Sequence, residues 1–150
     1  MKIFIDVNVF IDVMTKRSGW SGSLRVLNLT RQSQDLESWT SALTLPLLYF
    51  FRHRVVDETT ARADVRAILT GLQLVPMGQT ILDQALAGAG SDFEDNIQLA
   101  SAESISVDHL ITRNKKDFDA AKISVLNPEE WLALQEVATL EAKLTPSPGP

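Results

Sequence analysis

The chain has 150 residues, 45% of them hydrophobic and 22% charged, with a formal net charge of −5 and a sequence pI of about 5.0. This is ordinary globular composition, long enough for one domain with a real core; the lack of cysteine excludes disulfides, thiolate metal sites and cysteine nucleophiles and favours a cytoplasmic protein. The acidic balance gives no bulk attraction for nucleic acid, so any such contact must rest on local basic clusters and on a metal that offsets acidic repulsion.

In chain order, Lys2 to Ile5 is a short apolar run that fits a buried strand, ended by Asp6. Asp6 and Asp12 interrupt the apolar N-terminus and no small-residue cleavage site follows, so no signal peptide is expected. Val9 to Met14 has helical spacing, and Ser21 to Gln32 reads as a second helix with Leu24, Val26 and Leu27 inward. Glu37 to Ser41 reads as a strand around Trp39. The apolar run Leu43 to Phe51 carries Thr44 and Pro46 and ends at Arg52, His53 and Arg54, which makes it a buried helix capped by Ser41 or Thr44 and not a membrane span. Asp57 can cap a helix to Leu69; Leu72 to Met77 follows as a strand and Gln79 to Leu86 as a helix. Ser91 and Glu94 have the spacing of a capping box for a helix that reaches Ser104, with Phe93, Ile97 and Ala100 on one face. His109 to Thr112 and Ile123 to Leu126 are further strands. Asn127-Pro128-Glu129-Glu130 then starts a helix in which Trp131, Leu134 and Val137 are expected inward. Residues 1–140 are read as the domain and 141–150 as a disordered tail, since Thr145 to Pro150 holds three prolines and no apolar anchor.

Strands alternating with helices predict an α/β fold with a central, mostly parallel sheet covered on both sides. In such sheets ligands sit at the carboxyl ends of the strands. Asp6 follows the first strand directly; Asn114 and Asp117 follow His109–Thr112; Asp92 and Asp95 share one face of the first turn of the preceding helix. Carboxylates gathered so closely repel one another unless protonated or occupied by a cation. Oxygen ligands of this kind select Mg²⁺ or Mn²⁺, which can activate water against a phosphodiester. Taken singly, each acid also reads as a turn residue or as an acid favoured at a helix start, and the capping box accounts for Glu94. Ser41 and Ser91 read as caps rather than nucleophiles, and neither His53 nor His109 has a spaced partner suited to zinc.

The stretch IDVNVFIDV resembles the opening of a PIN domain, SALTLPLLYFF its middle segment, and SDFEDNIQLASAESISVDHLITRNKKDF its second half. The resemblance covers roughly residues 1 to 130, in order, and ITRNKKDF is its most specific part. It implies a PIN-like three-layer α/β/α sandwich and an Mg²⁺- or Mn²⁺-dependent ribonuclease site of the kind found in VapC-like toxins. Asp6, Asp95 and Asp117 match the family's metal-coordinating acids, and Asp92 matches a further acid of some branches. Asn8, Thr112 and Asn114 match polar positions around the metal, which position water, substrate or the carboxylates themselves. The resemblance also implies an RNA substrate, an antitoxin partner and a homodimer.

One departure stands out. The family carries another acid on the helix after the second strand, whereas ALTLPLLYFFRHR has none, and Leu47 or a neighbour takes the matching position. That leaves three readings: a site with one weakly held metal, a site that uses Asp92 or Asp12 instead, or a degenerate PIN domain that binds RNA or protein without cutting. Arg113, Lys115 and Lys116 flank the site and suit substrate phosphates, while Arg52, His53 and Arg54 fit cations at a helix C-terminus. A bacterial receiver also groups Asp, Thr and Lys at strand ends, but the acidic pair expected after its first strand is absent.

Overall fold

The computed structural model describes residues 1–90 and 92–144. Strands β1 (Lys2–Ile5), β2 (Glu37–Ser41), β3 (Gln73–Val75), β4 (His109–Ile111) and β5 (Ser124–Leu126) form one all-parallel sheet in the order β3-β2-β1-β4-β5. Helices α1 (Val7–Thr15), α2 (Trp20–Gln32), α3 (Thr44–His53), α4 (Glu58–Ile68), α5 (Gln79–Ala87), α6 (Phe93–Ser104) and α7 (Pro128–Leu144) connect and cover it, with a 3-10 turn at Lys115–Phe118. The expected α/β/α sandwich is what forms.

The layering follows from strand alternation, since successive side chains point to opposite faces. Ile3 and Ile5 of β1 and Ile111 of β4 pack with Val7, Phe10, Val26, Leu27, Leu48, Val65 and Trp131 on one side. Phe4 and Leu110 pack with Ala102, Val107 and Phe118 on the other. A smaller cluster of Ile81, Ala85, Ile97 and Ala100 joins α5 to α6.

The strand order places a topological switch beside β1. From β1 the chain steps outward to β2 and β3, then returns to the far side of β1 as β4. The carboxyl ends of β1 and β4 therefore flank the crevice in which doubly wound sheets bind ligands. Ile5 pairs with Ile111, and the Asp6 amide donates to the Ile111 carbonyl at 3.0 Å, so the residues after both strands are in register.

One expectation fails at the edge. Leu134 and Val137 are exposed (47% and 53%), whereas Trp131 and Leu132 are buried. Helix α7 turns toward α2 the face that carries Trp131 and Leu132, where Glu136 also pairs with Arg25, and at about 100° per residue Leu134 and Val137 fall on its outer face. Helix α7 spans Pro128–Leu144, and Thr145 to Pro150, on which the expected disordered tail largely falls, lie outside the described residues. No helix among the described residues is long and apolar enough to cross a membrane.

Candidate metal centre

Asp6 ends β1 and precedes the first turn of α1, and its side chain is fully buried. Its Oδ2 accepts from the Thr112 hydroxyl at 2.8 Å and from Asn8 Nδ2 at 3.2 Å. Thr112 is held in turn by the Asn114 amide, which donates to its hydroxyl at 3.1 Å. Asp6 Oδ1 is buried with no hydrogen-bond partner. A buried, unpaired carboxylate oxygen is costly unless a cation or proton meets it.

Asp95 and Glu94 approach from the first turn of α6; one carboxylate oxygen from each of Asp6, Glu94 and Asp95 lies within 4.8 Å of the others. Burial pushes the Asp6 carboxyl up to about 6, opposed by the Thr112 and Asn8 hydrogen bonds and reinforced by Glu94. Asp95 rises to about 7, first through burial and then through the charges of Asp6, Asp117, Glu94 and Asp92. Glu94 is also raised by burial, with Asp92 and Asp117 adding to the rise and its Gln98 hydrogen bond opposing it. Three all-oxygen donors whose charges oppose one another fit a hard divalent cation such as Mg²⁺ or Mn²⁺.

Asp117 lies on the 3-10 turn at the exposed rim, with Asn114 Nδ2 donating to its carboxylate. Its field reaches Asp95 and Glu94, but it is outside the close trio. Asp92 is the exposed N-cap of α6 and accepts from the Glu94 amide at 2.8 Å. This changes the reading of Glu94. Ser91 as a cap lies outside the described residues; the cap contact belongs to Asp92, and the Glu94 side chain accepts from Gln98 Nε2 at 3.1 Å. The Ser-x-x-Glu spacing concealed Glu94, although its place next to Asp95, four residues before Gln98, was a visible signal.

The basic residues separate. Arg113 is taken up by protein groups: its Nε lies 2.8 Å from Asp12, its Nη1 donates to both Glu129 oxygens at 2.9 and 2.8 Å, and its Nη2 donates to the Ser18 carbonyl at 3.3 Å. Asp12 is thus the buried partner of Arg113 and also accepts from the Ser23 hydroxyl at 3.2 Å, which keeps it away from the acidic trio. Lys115 pairs with Glu130 at 2.9 Å. Lys116 is exposed and, among the described residues, has no ion pair; with Asp117, Asp119 and Lys122 it lines a cavity of about 710 Å³. Arg52 pairs with Asp64 at 2.6 Å, away from the site.

On α3 the expected gap is real. The helix reads TLPLLYFFRH without an acid, and Leu47 packs against the apolar core. The helix presents Thr44 to the buried polar groups instead: its hydroxyl lies 2.9 Å from that of Thr40 and 3.4 Å from Gln98 Nε2.

A family model of the PIN domain matches residues 2–116. Ribonuclease VapC1 of Aquifex aeolicus (strain VF5) is 24% identical over 136 residues, which make up 87% of this chain and 92% of that protein. Among solved structures, VapBC-1 from nontypeable Haemophilus influenzae matches with a TM-score of 0.66 at 16% identity, covering 86% of this chain and 99% of that one. A toxin–antitoxin complex from Klebsiella pneumoniae matches with a TM-score of 0.64 at 22% identity, covering 84% and 97%. At these identities the two structures establish likeness of fold.

Proposed function

Because the chain belongs to the PIN-domain family, on its VapC-like side, we propose that it is an Mg²⁺- or Mn²⁺-dependent endoribonuclease and the toxin of a toxin–antitoxin pair. The observation that carries the reading is Asp6: fully buried, one oxygen held by Thr112 and Asn8, the other without a partner, and two carboxylates from α6 close by. The likeness to a curated ribonuclease supports RNA as the substrate. The likeness to structures described as VapBC or toxin–antitoxin complexes supports an antitoxin partner. A homodimer in the cytoplasm belongs to the same proposal.

Asp6 and Asp95 hold the cation, and Asp92 and Asp117 add negative field from the rim. When bound, the ion supplies Lewis acidity, lowering the pKa of water and offsetting charge on phosphate oxygens. The chain's own residues do the rest. Thr112 and Asn8 orient Asp6 so that Oδ1 is the oxygen left open to a ligand. Asn114 braces both Thr112 and Asp117. Lys116, and Lys115 when released from Glu130, meet substrate phosphates; Arg113 holds the loop that carries them. Binding of a polyanion by a chain of charge −5 then depends on these local contacts and on the bound cation.

The test is cleavage of labelled single-stranded RNA with Mn²⁺. Asp6→Asn and Asp95→Asn should each lower the rate by about 100-fold or more, the scale of losing a group that acts on developing charge, with the fold retained by circular dichroism. The acid-free α3 favours a second reading, a PIN domain that binds without cutting. RNA binding indifferent to metal, with no cleavage by the wild type, would decide for it.

A further inference from the structure

We propose that Glu94 is the third carboxylate ligand of the divalent cation in this chain and that Gln98 is the residue that positions it, so that α6 supplies the acid α3 lacks. The inference rests on the metal-dependent reading above. Its first support is position: the Glu94 carboxylate, and neither Asp12 nor Asp92, falls within 4.8 Å of Asp6 and Asp95. Its second is independent: Asp6 Oδ1, fully buried in the same trio, has no hydrogen-bond partner.

The third support is a buried chain of hydrogen bonds with one consistent direction. The Thr40 hydroxyl donates to the Ile5 carbonyl at 2.8 Å. Its single proton is then used, so across the 2.9 Å contact Thr44 must donate to Thr40. Thr44 can therefore only accept from Gln98 Nε2, at 3.4 Å, and the same amide nitrogen donates to Glu94 Oε1 at 3.1 Å. Thr40, Thr44 and Gln98 are all fully buried. The relay runs from the peptide just before Asp6, through β2 and α3, to the carboxylate on α6. It ties Glu94 to the backbone that carries Asp6. Turning the Gln98 amide over would set its carbonyl oxygen against the Glu94 carboxylate, so the relay also keeps Glu94 an acceptor. Helix α3 thus contributes a hydroxyl that braces a ligand rather than a ligand.

The test is Mn²⁺ affinity, read from the free-ion signal in electron paramagnetic resonance at pH 8, with folding followed by circular dichroism. For wild type, Glu94→Gln, Glu94→Asp and Gln98→Met, the inference expects Glu94→Gln to bind at least 10-fold more weakly. Glu94→Asp should recover part of that loss, because the carboxylate is kept. Gln98→Met, which keeps the volume and removes both donated hydrogen bonds, should weaken binding several-fold with Glu94 intact. Wild-type binding that Glu94→Gln leaves unchanged would overturn the role of Glu94 while the metal site itself stands. Equal affinity for Gln98→Met and wild type would overturn the positioning role. No wild-type binding would remove the metal-dependent reading and this inference together.

Discussion

At the scale of single residues, the three buried aspartates have opposite fates. Asp12 is matched by Arg113, whose fork also spans Glu129 and the Ser18 carbonyl. Arg113→Ala leaves Asp12 buried without a cation and should cost about 3 kcal/mol in urea unfolding. Gly19→Ala should be destabilising by about 1–2 kcal/mol, because Gly19 has φ +82° and a Cβ there would meet the Arg113 guanidinium. Asp6 and Asp95 have no such match. Their carboxyls lie near 6 and 7, against 3.8 ordinarily, so the folded state holds protons that the unfolded chain releases. Stability of the metal-free protein should therefore fall as pH rises from about 4 through about 7, and recover as pH is lowered. Denaturation midpoints in EDTA between pH 5 and pH 8 check the sign. Asp95→Asn should flatten the fall and stabilise the metal-free protein at pH 8 by about 1 kcal/mol, allowing for solvent screening.

At the scale of elements, α7 shows where apolar spacing stops being informative. Trp131 and Leu132 are buried by α2 and the sheet, but Leu134 and Val137 have the same character with no surface opposite them. Trp131→Ala should cost about 3–5 kcal/mol, and Leu134→Ala less than about 0.5 kcal/mol, by the same unfolding assay. The end of β1 was legible because Asp6, the N-cap residue of α1, follows the apolar run directly, whereas β2 holds one apolar residue, Trp39, among polar neighbours. The third strand, read over Leu72 to Met77, contracts to Gln73–Val75 because only those residues find partners in β2. The short helical turn at Lys115–Phe118 gave no periodic signal and was not foreseen. For α6, the Ser91–Glu94 spacing pointed to a local cap, whereas the Glu94 side chain bonds Gln98 one turn on. Local rules find a cap readily; they do not say which of several acids turns toward a partner from another strand.

At the scale of the whole molecule, the parallel order of the sheet decides which acids can meet. Asp6 and Thr112 are 106 positions apart in the chain yet hydrogen-bonded across the switch point. That meeting could be anticipated because ligands gather at strand carboxyl ends. The ion pair of Arg113 with Asp12 could not, since neither residue carries a local signal of the other. The net charge of −5 has its own consequence: the chain has no bulk attraction for a polyanion, so binding falls to local cations such as Lys116. Lys116→Ala should reduce the slope of log affinity for single-stranded RNA against log salt by about 0.7, the value for one phosphate contact, in fluorescence anisotropy at fixed Mn²⁺. Arg113→Lys, at a position occupied by protein carboxylates, should leave that slope unchanged.

The most direct measurement is a calorimetric titration of Mn²⁺ at pH 8 into the wild type and into Asp95→Asn. The expected result is saturable binding to the wild type that Asp95→Asn weakens at least about 10-fold, since loss of a ligand should cost no less than loss of a group that only supports one. Equal binding by both proteins, or no binding by the wild type, would contradict a cation held between Asp6 and the first turn of α6.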